Sequence, residues 1–113
     1  MMSYANLYVD QGTDFSTILN IEYKTGDPID LTNINTSGQA RRSYYSETAY
    51  DFDTSIVDGP GGLLMIILDR ETNVTMPPGR YVYDVYGYDT EDDVQFKILQ
   101  GILEIIPQVT KDL

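Results

Sequence analysis

The chain has 113 residues, of which 42% are apolar, and its eighteen acidic and seven basic side chains give a formal net charge of -11. A chain of this length buries enough surface to fold on its own core without disulfides or metal, so residues 1–113 are read as one domain. The absence of His and Cys excludes Ser-His-Asp and Cys-His nucleophile systems, thiolate zinc sites and a disulfide framework.

The negative charge has the wrong sign for holding a phosphate backbone, so nucleic acid is not an expected partner. Nor is a membrane, because no apolar run approaches the ~20 residues of a spanning helix. Residues 1–6 show neither the basic start nor the apolar stretch of a secretory signal, and the first basic residue is Lys24. Synthesis in a cytoplasm is the expectation. No motif calls for a cofactor.

Strand periodicity dominates the chain. Phe15, Thr17, Leu19, Ile21 and Tyr23 alternate with Ser16, Asn20 and Glu22, as in a strand half buried and half wet, and Ile18 is the one apolar residue on the wet side. Thr25-Gly26-Asp27-Pro28 forms a turn cluster, after which Ile29 and Leu31 anchor the returning chain as apolar plugs. A second strand is predicted over about 34–42, and its small residues Thr36, Gly38 and Ala40 point to close approach by a neighbouring layer.

Phe52, Thr54 and Ile56 then alternate against Asp53 and Ser55, and the turn 58–62 leads into the apolar run 63–68, which reads as a hairpin. A run apolar at every position suits a strand covered on both faces or at a subunit contact, although its length alone leaves a buried helix open. Asp69 is a candidate N-cap for one helical turn near 69–74, ended by Pro77-Pro78-Gly79.

Tyr81, Tyr83 and Val85 alternate against Val82, Asp84 and Tyr86, and both inward tyrosines read as core or tyrosine-corner residues. A polar turn over 89–93 precedes the partner strand over 94–106, closed by Pro107. That strand is apolar on both faces, with Phe96, Ile98, Ile102 and Ile106 opposite Leu99, Leu103 and Ile105, so it is central or bent around Gly101. About seven short strands with frequent turns predict an all-β fold, an immunoglobulin-like antiparallel β-sandwich.

Asp51 and Asp53 share a strand face, the spacing of a paired-carboxylate site, but nothing near them in sequence raises one pKa, so they read as solvated. Asp89-Thr90-Glu91-Asp92-Asp93 offers oxygen ligands for a hard cation, yet it lacks the spaced ligands and Gly of an EF-hand loop and reads as a hairpin tip. The best contact patch is Arg41-Arg42-Ser43-Tyr44-Tyr45-Ser46, where two arginines adjoin two tyrosines, residue types enriched at interface anchors. A loop folded over a sheet edge, its arginines neutralising nearby carboxylates, is the other reading. Tyr86 and Tyr88 join Tyr44 and Tyr45 as candidate platforms for stacking on a sugar ring.

The segments 6–15, 26–32, 38–46 and 78–85 together resemble small virion structural proteins of tailed, T4-like marine bacteriophages, with immunoglobulin-like baseplate and tail accessory domains among them. The resemblance covers nearly the whole chain and brings no catalytic residues. It implies a non-enzymatic module of tail, neck or baseplate, located in the virion and acting on other phage virion proteins, either as a homo-oligomer or attached to a symmetric ring. Arg41, Arg42, Tyr44, Tyr45, Tyr86 and Tyr88 are the candidate contacts. A receptor- or glycan-binding adhesin is the alternative. The hairpin 86–93 departs from the family in being richer in tyrosine and acid.

Overall fold

Alternating apolar and polar residues build eight strands and one helical turn in the computed structural model, which describes residues 3–111. In chain order these are β1 (Ser3–Tyr4), β2 (Leu7–Asp10), β3 (Phe15–Asn20), β4 (Ile34–Arg41), β5 (Tyr50–Asp58), β6 (Leu63–Leu68), α1 (Arg70–Asn73), β7 (Gly79–Asp89) and β8 (Val94–Ile106). The strands follow the path β1-β8-β7-β4-β5-β6-β3, with β2 also paired to β8.

β5 is the strand that curls this path. Its first residues pair with β4, up to Phe52 opposite Gly38, and from Asp53 onward it pairs with β6 instead. One strand thus serves two parts of a mostly β, mixed sheet, which wraps into a half-barrel around a single core. Gly38 makes the turn of β5 possible, because a Cβ there would overlap the Phe52 ring. Of the small residues of β4, Gly38 marks a close approach, made by a ring of the adjacent strand where a neighbouring layer is expected.

The core is filled from the inward faces: Leu64, Ile66 and Leu68 of β6 share it with Tyr81, Tyr83 and Val85 of β7 and with Leu99, Leu103 and Ile105 of β8. Ile21, Ile29 and Leu31 plug it from the connection after β3, as their spacing suggests. The apolar run 63–68 is a strand held between β3 and β5, with Leu63, Met65 and Ile67 half-buried on its second face. Asp69 caps α1, its carboxylate accepting from the Thr72 N–H at 2.8 Å.

Two expectations are corrected. The sheet is mixed where an antiparallel one is expected, because β1 and β2 both run parallel to β8. They dock there because Leu7 and Val9 complete the core and the far edge of β8 is otherwise unpaired. Neither is among the strands expected from the pattern, and with them the number is eight where about seven are expected. Of the two readings of β8 the central one holds, since it pairs with β7 on one side and with β1 and β2 on the other. Its irregularity is a bulge at Ile98, since Val85 pairs with Leu99 but Tyr86 with Lys97. The extra residue lets Ile98 and Leu99 both face inward, which explains the apolar residues on both sides of the pattern.

Candidate interaction surface

The outward side chains of β4, β7 and β8 form one open sheet face. Cross-strand register lines up Asp51, Gln39, Asp84, Gln100 and Tyr4 in a single row across five strands. Gln39 donates to the Asp51 carboxylate at 2.7 Å, and Lys97 donates to the side-chain amide oxygen of Gln100 at 3.2 Å. Beside the row lies a shallow cleft of about 160 Å³, lined by Gln39, Arg41, Tyr44, Val82, Asp84 and Gln100 among others.

The two candidate clusters sit at opposite ends of this face. Tyr86 and Tyr88 point outward from β7, opposite Ser37 and Asn35 near the start of β4. Arg41 closes the same strand, so at ~3.4 Å per residue it stands roughly 20 Å from the Tyr88 position. The Lys97 ammonium lies 5.6 Å from the Tyr86 ring centroid, and the Tyr88 hydroxyl donates to the Asp93 carboxylate at 2.7 Å. That hydrogen bond, together with partial burial and the nearby Asp89 charge, raises the Tyr88 pKa.

The Arg-Tyr loop divides into an internal half and an exposed half. Arg41 donates to the Ser46 carbonyl at 2.6 Å and to Gln39 at 3.3 Å, which fixes the loop it begins. Arg42 donates to the Pro78 carbonyl at 2.6 Å and the Arg80 carbonyl at 3.2 Å, with its guanidinium 4.5 Å from the centroid of the Tyr81 ring. Both arginines therefore hold the chain's own backbone. Tyr44 and Tyr45 are left at 71% and 94% exposure.

Asp51 and Asp53 face outward on β5 and are exposed. In the turn after β7, Asp89 caps its own chain by accepting from the Glu91 and Asp92 N–H groups. Among the described residues, no group of three or more acidic side chains is arranged to hold a metal ion. Tyr4, Tyr8, Gln39, Asp84 and Gln100 belong to the outer face but escape a reading of the sequence, because cross-strand neighbours are set by register. The only local signal is Asp84 alternating with Val82 and Tyr86.

No protein-family model matches this sequence, and no curated protein matches it. Among solved structures the chain is similar to InlP of Listeria monocytogenes, at 12% identity and a TM-score of 0.54, over 93% of this chain and 27% of that one. It is also similar to a family 123 glycoside hydrolase from Clostridium perfringens, at 16% identity and a TM-score of 0.44, over 96% of this chain and 24% of that one. The chain spans about a quarter of the length of each. The likeness to InlP is one of fold.

Proposed function

We propose that this chain is a non-enzymatic structural module of a tailed-bacteriophage virion, in tail, neck or baseplate, that contacts other virion proteins through the outer face of β4, β7 and β8. The sequence resemblance supports the setting. The observation that supports the mode of action is the exposure of Tyr44, Tyr45, Tyr86 and Tyr88 around one open sheet face. Tyrosines of this kind supply apolar area and a hydroxyl at little entropic cost, the composition of protein contact surfaces. In its finer detail we read the fold as immunoglobulin-like. The change of partner along β5 supports this, as does the Tyr81 hydroxyl donating to the Pro77 carbonyl at 2.5 Å, in the manner of a tyrosine corner.

The cleft beside Asp84 favours a second reading, a glycan-binding module. Asp84 and Gln100 offer hydrogen-bonding groups there, and Tyr44 supplies a ring at the rim.

Immunogold electron microscopy on intact particles, with antibody against this chain, tests the first reading. Label on tail, neck or baseplate is expected; absence of label together with a negative blot of denatured particles removes it. Tyr44→Ala combined with Tyr45→Ala is expected to leave the melting temperature unchanged and lower incorporation by about tenfold. Full incorporation of the double variant, with saturable glycan-array binding lost on Tyr44→Ala, transfers the assignment to the second reading.

A further inference from the structure

β3 ends the sheet path, and its far side pairs with no strand among the described residues. The Ile21 N–H donates to the Gly62 carbonyl at 2.8 Å, which continues the β3–β6 register by one step. In an antiparallel ladder the N–H and C=O of one residue point to the same side, and those of the next residue to the other. Phe15, Thr17 and Leu19 therefore turn their backbone groups toward β6, and Ser16, Ile18 and Asn20 turn theirs outward. No hydrogen bond from a described residue reaches these outward groups.

Sheets commonly guard such edges with Lys, Pro, a bulge or a covering segment. Among the described residues β3 has none of these: its sequence is Phe-Ser-Thr-Ile-Leu-Asn, in unbroken register with β6. The opposite end of the sheet is different, because β1 and β2 are short and interrupted at 5–6.

The face beside this edge carries an apolar stripe between polar borders. Its rows read Ser16, Ile67, Asp53; then Ile18, Met65, Ser55; then Asn20, Leu63, Asp58. Ile18 is 53% exposed, and Leu63, Met65 and Ile67 form a half-buried stripe next to it. Carboxylates border the patch: Asp53 and Asp58 on β5, with Asp14 and Glu22 just beyond the two ends of β3, all exposed. Against them stand Lys24 and Arg70, and Arg70 is already paired with Asp14 at 3.6 Å and Glu71 at 3.5 Å.

We propose that β3 is a docking edge for an extended segment of another protein, apolar at alternate positions and flanked by Lys or Arg, which adds to the sheet as a further strand. Backbone hydrogen bonds to Ser16, Ile18 and Asn20 supply attachment, the apolar stripe selects alternate side chains, and the bordering carboxylates select the basic flanks. A second copy of this chain fits poorly, because it carries the same net charge of -11 and brings the same carboxylates to the edge. The inference rests on the fold and charge of the edge and stands apart from the virion reading.

The test uses the full-length chain labelled for NMR and the synthetic peptide Lys-Val-Thr-Val-Thr-Val-Lys. Saturable shifts and slowed exchange are expected at the Ser16, Ile18 and Asn20 amides. Binding about tenfold or more weaker is expected for the same peptide N-methylated at alternate residues, and for a version with Glu at both ends. Ile18→Pro removes only an outward N–H, so it is expected to keep the fold and abolish binding; Ile18→Lys keeps the backbone and places a like charge against the peptide, with the same result. The proposal is overturned by an absence of saturable shifts up to roughly millimolar peptide, by shifts on another surface, or by equal binding of the control peptides. A dimer in sedimentation that is lost in Ile18→Lys overturns it in favour of a second copy. Each of these outcomes is independent of whether particles contain the chain.

Discussion

Asn73 is the one polar side chain buried among the described residues, and it ties the first half of the chain to the second. Its carbonyl oxygen accepts from the Gly12 N–H at 2.6 Å, while its amide donates to the Thr13 carbonyl at 2.7 Å and the Leu68 carbonyl at 3.4 Å. Asn73→Ala strands these backbone groups away from water, so a loss of about 2–3 kcal/mol is expected in urea unfolding; a change within about 0.5 kcal/mol would show that water replaces the amide. The cap of this turn is legible in sequence, since Asp69 precedes it, but the inward turn of Asn73 is not. Its only signature is a residue of low helix propensity inside a helical turn. Arg42 is the converse case: its type and neighbours read as an interface anchor, yet the carbonyls it binds belong to Pro78 and Arg80, far away along the chain. Residue chemistry states what a side chain is able to bind, and the fold decides which partner reaches it first.

Among the elements, the half-buried strands were the readable ones, because a face packed on a core leaves a period of two in the residues. β1 and β2 were not readable: two and four residues are too few for a period to show. Their docking depends on Gly101, where a Cβ would overlap the Ala5 carbonyl oxygen, the same atom that accepts from the Tyr83 hydroxyl at 2.6 Å. The glycine thus marks a close approach of two chain segments. Gly101→Ala is expected to cost about 1–3 kcal/mol. Hydrogen exchange is expected to speed up selectively at the Ala5 and Ile102 amides, which bond to Gln100 and Asn6 across this contact. Uniformly unchanged exchange would mean that β1 accommodates the methyl group by a small shift. The candidate surface follows the same division, since the alternation of Val82, Asp84 and Tyr86 is local, whereas the row from Asp51 to Tyr4 exists only once five strands are in register.

At the scale of the molecule, two buried phenols link the core to pH. Burial raises the pKa of Tyr83 strongly, and it raises that of Tyr81 against the opposing pull of the Arg42 charge. The folded protein therefore keeps protons that the unfolded chain releases above pH ~10. The corresponding stability is fully present below that pH and declines as pH rises beyond it. The melting temperature is expected to fall between about pH 10 and pH 11.5, with a shallower fall in Tyr83→Phe. An identical slope in the variant would assign the alkaline loss to other groups.

The sequence by itself determined the all-β class, the inward faces of β3 and β7, the capped turn before β7 and the acidic surface, because each depends on neighbours within a few residues. Only the tertiary structure decided that the N-terminal segment lies parallel to β8, that β5 changes partner and curls the sheet, that the bulge falls at Ile98, and that β3 is left with an open edge. These depend on which edges are vacant and which backbones meet. Such contacts form between segments up to 96 residues apart, as between Asn6 and Ile102, and no local period encodes them.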